Sequence, residues 1–301
     1  MLEVVSAEGA YVNTNDFMAK YVSCVICQLV FGERPSSDDP DFERYINVAQ
    51  ELAQNTNILD NLILMIPQLK ILEGVYPRLT KVVRNMEFCH EYCQRKIDEH
   101  KKRMSKEDMD GDSNDFCEAY IREHWRAEAA GQPFDEFNLV RTMFELFIAG
   151  TDTTATTLRW SLVYMALNPD VQQKVQAELD SVVGRERLPN MMDKSSLHYT
   201  NATIDEIHRI CTVIPMTLGH RAMHDTQYKG YDIPSNAAVI ANIYAIHHNP
   251  ESFPEPQKFR PERFLDFKTG NLIFIFPKQH NMYLFCIFQP FCLFAAHCTV
   301  L

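Results

Sequence analysis

Residues 147–160 read FIAGTDTTATTLRW and lie inside the longest uninterrupted helical pattern of the chain, Asn138 to Asn168, which Pro169 ends. The pattern is apolar around most of its circumference, which predicts a helix running through the interior. Three features oppose a purely structural role. Gly150 costs about 1 kcal/mol relative to Ala in a helix interior. Thr151, Thr153, Thr154, Thr156 and Thr157 crowd hydroxyls that can bond back to carbonyls and bend the helix. Asp152 puts a charge among apolar neighbours, where it must be paired, hydrated or neutralised. A carboxyl and a hydroxyl at a bent, wet spot can deliver protons into an apolar cavity. A buried polar patch that only sets helix packing is the other reading of the same residues.

Outward from this segment, the first 200 residues read as helices. Asp16 to Phe31 has apolar residues at helical spacing and stops at Gly32. Asp39-Pro40 is a cap followed by proline at the first helical position, opening FERYINVAQELAQ. Thr80 to Met104 is amphipathic, with Val83, Met86, Cys93 and Ile97 opposite Arg84, Glu91, Arg95 and Lys102. Pro169 opens DVQQKVQAELDSVV, closed by Gly184, and a further helix covers Tyr199 to Cys211. After Pro215 the pairs Lys229-Gly230 and Pro234-Ser235 separate short β-prone runs, which predicts a small sheet. The fold class expected is mainly α with that small sheet after residue 215.

The chain has 301 residues, with 29 Lys plus Arg against 40 Asp plus Glu and a net charge of −11. That balance argues against nucleic acid as a partner, because phosphate neutralisation needs clustered cations. The 9 cysteines are odd in number and scattered, which points to a reducing compartment rather than a disulfide framework. Cys24 and Cys27 form a C-x-x-C inside the apolar run VSCVICQLVF and are expected in the core. The acidic stretch EDMDGDSND, 107–115, lacks the glycine and glutamate positions of a calcium-binding loop and reads as solvated. Residues 61–77, NLILMIPQLKILEGVYP, read either as a buried connector or as a surface in peripheral contact with a membrane. MLEVVSAEGAYV has no continuous apolar stretch and is not read as a secretory signal.

Glu206 and Arg209 stand at i and i+3 and share one helix face. Such a pair is usually a solvated surface pair, unless a third group such as Arg263 meets it in the interior. FIAGTDTT, then Glu206-x-x-Arg209, then Phe259-Arg260-Pro261-Glu262-Arg263-Phe264, in this order and spacing, resembles the cytochrome P450 family. The text LNPDVQQKVQAELDSVVGRERLP and YDIPSNAAVIANIYAIHHNPESFPEPQKFRPERFLD resembles its animal microsomal branch. The likeness runs from near residue 14 to Leu272, so residues 1–272 are expected to be a partial domain of that fold and 273–301 a divergent apolar tail.

The resemblance implies a haem-thiolate monooxygenase that inserts one oxygen atom of O₂ into a small lipophilic substrate (a fatty acid, steroid or xenobiotic), with electrons from an NADPH-dependent reductase. It implies haem iron as cofactor and the cytosolic face of the endoplasmic reticulum membrane as location. No anchor is read in this chain, which leaves the cytoplasm as the alternative. By the same resemblance, Asp152 and Thr153 would be the acid–alcohol pair that relays protons. Ala149, Thr153 and His220 would contact the haem. Phe144, Ile148, Ile214 and Leu218 would line the substrate cavity, and Glu206, Arg209 and Arg263 would form a structural triad.

The family also carries a loop of the form Phe-x-x-Gly-x-Arg-x-Cys-x-Gly, whose thiolate is the axial iron ligand. After Leu272 this chain instead reads IFIFPKQHNMYLFCIFQPFCLFAAHCTVL. Cys286 lies near the expected distance, but its context YLFCIFQP supplies neither the glycines nor the Arg. Neither Cys292 nor Cys298 has that context. No metal ligand is therefore assigned. Two expectations follow: a monooxygenase by descent that is inactive as written, or a non-catalytic fragment that binds no haem.

Overall fold

The structure, a computed structural model, describes residues 14–36, 38–54, 77–131 and 136–273. The candidate membrane-contact segment, apart from Pro77, and Cys286, Cys292 and Cys298 lie outside the described residues. The contacts divide the chain into two compact units, residues 1–155 and 156–301.

The first unit contains α1 (Thr14–Phe31), α2 (Pro40–Gln54), α3 (Pro77–Arg103), α4 (Phe116–Ala129) and the start of α5 (Glu136–Leu167). Local chemistry sets the ends. Gly32 takes φ +67° and stops α1. Asp39 Oδ1 accepts from the backbone N of Asp41 at 2.9 Å, with Pro40 as the first residue of α2. Asp115 caps α4 by accepting from Glu118 N. The acidic stretch 107–115 thus ends as a helix cap, preceded by a 3₁₀ turn at Lys106–Asp108. The core is aromatic at its centre. Tyr45 stacks on Tyr92 with centroids 4.5 Å apart and meets Phe147 at 4.2 Å. Cys24, Cys27, Cys89, Cys93 and Cys117 are buried and free, so the C-x-x-C packs as small apolar side chains.

The second unit contains the rest of α5, α6 (Pro169–Val182), α7 (His198–Cys211), four short strands and α8 (Ile243–His247). The strands β1 (His220–Arg221), β2 (Thr226–Tyr228), β3 (Tyr231–Ile233) and β4 (Ala238–Val239) form two separate antiparallel ribbons, β1 with β4 and β2 with β3, where the sequence predicts one small sheet. In the hairpin β2–β3, Tyr228 pairs with Tyr231 and the turn residues Lys229 and Gly230 both have positive φ. Helix α7 is the centre of this unit: from Thr200 to Ile207 every residue is buried. Its first turn is capped from α6, because Glu178 accepts from Tyr199 N and Thr200 N at 2.7 Å each and from the Thr200 hydroxyl.

One expectation needs correction. The mostly apolar circumference of α5 predicts a helix running through the interior, yet Trp160, Leu162, Val163 and Leu167 are 44%, 42%, 44% and 71% exposed. Beyond Leu158 the helix is covered chiefly on the side of Met165, where Val171 and Ile207 pack. The other side of its last two turns has no described cover.

Candidate functional site

In the first unit, the candidate residues are carried by α5. Gly150 is where α5 meets α1: a Cβ there would lie 2.8 Å from Ile26 Cδ1. Thr151 is buried beside it, with its hydroxyl 3.5 Å from that of Ser23. With Gly150, Thr151, Thr154 and Ala155 turned into the core, residues 149, 152 and 153 share the opposite face at i, i+3 and i+4. Ala149 is exposed, and Asp152 and Thr153 are half-buried. The Thr153 hydroxyl donates to the Ala149 carbonyl at 2.6 Å. Asp152 makes no hydrogen bond or ion pair among the described residues. Ile148 is half-buried, and Phe144 is buried edge-on to the ring of His90, 5.2 Å away.

In the second unit, Ile214, Leu218 and His220 lie on the extended segment that follows α7. Backbone bonds hold this segment: Thr217 N donates to Ala241 O, Tyr244 N donates to Pro215 O, and His220 is in register with Val239. Ile214 is 37% exposed and Leu218 84%, and His220 is exposed as well. His220 Nδ1 lies 2.9 Å from the Leu218 carbonyl, which makes Nδ1 the protonated nitrogen and leaves Nε2 as the ring's other hydrogen-bonding atom.

The structure brings Glu206, Arg209 and Arg263 together. Glu206 is fully buried and accepts four bonds: Arg209 Nε at 2.7 Å, Arg209 Nη2 at 2.8 Å, Arg260 N at 2.9 Å and Arg263 Nε at 3.0 Å. The pair that alone reads as a surface pair is thus a buried, forked ion-pair cluster. Arg263 also donates to the carbonyls of Pro254 and Lys258 at 3.1 Å each, which fastens the proline-rich loop.

Sequence reasoning missed two supports. Arg209 Nη1 donates to His247 O at 3.0 Å, which ties α8 to the cluster. Thr212, at φ +36°, gives its one proton to Arg209 O and meets His247 Nδ1 at 3.0 Å, so Nδ1–H is the donor there. Burial, reinforced by the Arg209 charge, pushes His247 down to about 4 and keeps it neutral. His247 stands in an ordinary-looking HHNP segment, and no spacing signal marks it.

Compared with known proteins, the chain is 34% identical to cytochrome P450 2J3 of Rattus norvegicus over 271 residues, 88% of this chain and 52% of that protein. It is 34% identical to cytochrome P450 2U1 of Homo sapiens over 84% of this chain and 46% of that one. For cytochrome P450 2J2 of Homo sapiens the figures are 34%, 81% and 48%. A family model described as Cytochrome P450 matches residues 1–285. The chain belongs to the cytochrome P450 family. It spans about half the length of the curated relatives it matches. The match begins earlier and ends later than the span from residue 14 to Leu272 over which the motifs can be read.

The P450 family implies haem iron, and the residues present answer that unequally. On α5, Ala149 is small and exposed, and Asp152 and Thr153 supply a carboxyl and a hydroxyl beside it, so the acid–alcohol donors fit. The thiolate ligand does not fit among the described residues. Five of their six cysteines are buried in the first unit's core, and burial holds Cys27, Cys89, Cys93 and Cys117 above the usual thiol range. The sixth, Cys211, is half-buried at the end of α7 and is pushed up to about 12 by burial. A thiol so held is neutral and a poor metal ligand.

Proposed function

We propose that the chain carries the proton-handling helix and the structural triad of a haem-thiolate monooxygenase, and that as written it does not complete the reaction. The reaction is insertion of one atom of O₂ into a small lipophilic molecule, with electrons from an NADPH-dependent reductase and haem iron as cofactor. One observation supports this reading most: the Thr153 hydroxyl is bonded back to Ala149 O one residue from a half-buried carboxyl that has no partner among the described residues. When the hydroxyl swings off that carbonyl its proton can be given outward, and Asp152 is placed to return one from solvent. Thr153 would hold and donate the proton; Asp152 would resupply it.

Phe144, Ile148, Ile214 and Leu218 are the proposed apolar lining for a fatty acid, steroid or xenobiotic, and Ala149, Thr153 and His220 the proposed haem contacts. Glu206, Arg209 and Arg263 hold the second unit together and take no part in the chemistry. The proposed location is the cytosolic face of the endoplasmic reticulum membrane, with residues 61–77 in peripheral contact. No described helix is long and apolar enough to cross a membrane.

The inactive reading rests on ligand chemistry. The described cysteines are buried or half-buried in helix packing, and residues 273–301 contain no Phe-x-x-Gly-x-Arg-x-Cys-x-Gly loop. The test is turnover. The full chain is supplied with haemin, an NADPH-dependent reductase, O₂, and a fatty acid or a steroid. The expected result is no oxygenated product. Product that disappears in Thr153→Ala would overturn the inactive reading and support the relay; product unaffected by Thr153→Ala and Asp152→Asn would overturn the relay.

A further inference from the structure

His100 stands in the last turn of α3 and Asp115 at the N-cap of α4, each with a side chain only 6% exposed. Asp115 Oδ1 accepts from Glu118 N at 2.8 Å, and Oδ2 lies 3.2 Å from His100 Nε2. The other ring nitrogen, Nδ1, lies 2.8 Å from the Lys96 carbonyl. A carbonyl and an ionised carboxylate only accept, so a ring that meets both carries a proton on each nitrogen. The geometry therefore calls for an imidazolium. The same carboxylate covers the end of α1: a Cβ on Gly32 would lie 2.3 Å from Asp115 Oδ2. One buried carboxylate touches the ends of three helices.

We propose that the His100–Asp115 ion pair is a proton-held joint of the first unit: the protonated ring clamps the ends of α1, α3 and α4 together, and loss of that proton loosens them. The surroundings are mixed in charge. From α3, Lys96 is paired with Glu33 and Glu99, Lys101 lies near, and Arg103 Nη2 approaches His100 Nδ1 at 3.4 Å. From α4, the Cys117 thiol lies beside the ring, and Glu118 is neutralised by Arg122. Asp115 first and Cys117 second outweigh desolvation and lift His100 to about 10. Cys117 itself is fully buried and its thiol is pushed up by burial, which excludes it as a nucleophile.

The sign follows from linkage. A histidine raised above 6.5 in the folded state gives stability that is fully present below about 6.5 and lost as pH rises toward the folded value of about 10. One proton changes the folding equilibrium constant by at most about tenfold per pH unit. Buried Cys27, Cys89, Cys93 and Tyr45 are also held protonated, and they add their own alkaline loss once unfolded thiols ionise near about 8.5. His90, held below its usual value by burial, adds stability of the opposite sign as pH rises through about 6.5, so the joint is read between pH 6.5 and 8.5 as the difference from His100→Gln.

The proposal is independent of the monooxygenase reading and needs no haem. The experiment uses the full chain carrying Trp160→Phe, so that Trp125 of α4 reports on the first unit. Urea unfolding is followed by fluorescence across that pH range, with and without His100→Gln. The expected result is a fall in the folding constant of about fiftyfold from pH 6.5 to 8.5 relative to the variant, approaching one decade per unit at the upper end. An ¹⁵N titration of the His100 ring in the unsubstituted chain should give a midpoint above 8.5. Parallel pH profiles, or a His100 midpoint near 6.5, would overturn the proposal. If His100→Gln does not fold, the ring titration decides alone.

Discussion

Glu206→Gln removes one charge from a cluster whose three side chains are almost wholly buried. In the native chain four donors converge on this carboxylate at 2.7–3.0 Å, and three of them are guanidinium nitrogens. The amide keeps one acceptor oxygen and turns the other position into a donor facing Arg209 or Arg263. Charge-assisted hydrogen bonds contribute about 1.5–3 kcal/mol each, and at least one must be lost. The larger cost is electrostatic, because Arg209 and Arg263, 1% and 4% exposed, lose the carboxylate they share. Breaking a buried pair from one side costs about 3–5 kcal/mol. A typical domain holds only about 5–15 kcal/mol in total, so the second unit would be left marginal. Urea unfolding with amide exchange read on the α7 peptide measures this, with Lys174→Ala as the control: its partner Glu262 is on the surface, and the expected loss is under about 1 kcal/mol. A loss below about 1 kcal/mol for Glu206→Gln would refute the reasoning.

Gly32→Ala combines left-handed strain of about 1–2 kcal/mol with a collision against the capping carboxylate of Asp115, whereas Gly184→Ala, at φ +81° with open space around it, carries the strain alone. Thermal melts should rank the two, with Gly32→Ala the more destabilising; equal shifts would show that the Asp115 contact carries no energy. Glu178→Ala strips α7 of a carboxylate that satisfies two backbone N–H groups and a hydroxyl, with an expected loss of about 1–2 kcal/mol and faster amide exchange at Tyr199 and Thr200.

Much of the helical framework is legible in the sequence because its punctuation is local. Asp39-Pro40, Gly32 and Gly184 act within a few residues, and the structure ends its helices there. The fate of Glu206 and Arg209 is not local. Their i, i+3 spacing is visible, but their burial depends on Arg263, which arrives 57 residues after Glu206 and is fastened by carbonyls of a loop with no regular pattern. The joint at His100 is hidden for the same reason: nothing in HKKR or NDFC marks a pair separated by 15 residues as buried partners. Helix α5 shows the converse. Its composition reads as interior throughout, yet cover depends on neighbours that composition does not count, and Trp160 to Leu167 keep an open side.

We propose that this chain carries Asp152 and Thr153 as an acid–alcohol pair without a thiolate able to hold haem iron. The most direct measurement is the absorption of the haem-supplemented chain, reduced and exposed to carbon monoxide. No long-wavelength Soret band of the thiolate type is predicted. A full thiolate-type band, abolished by replacing a single cysteine among Cys286, Cys292 and Cys298, would contradict it.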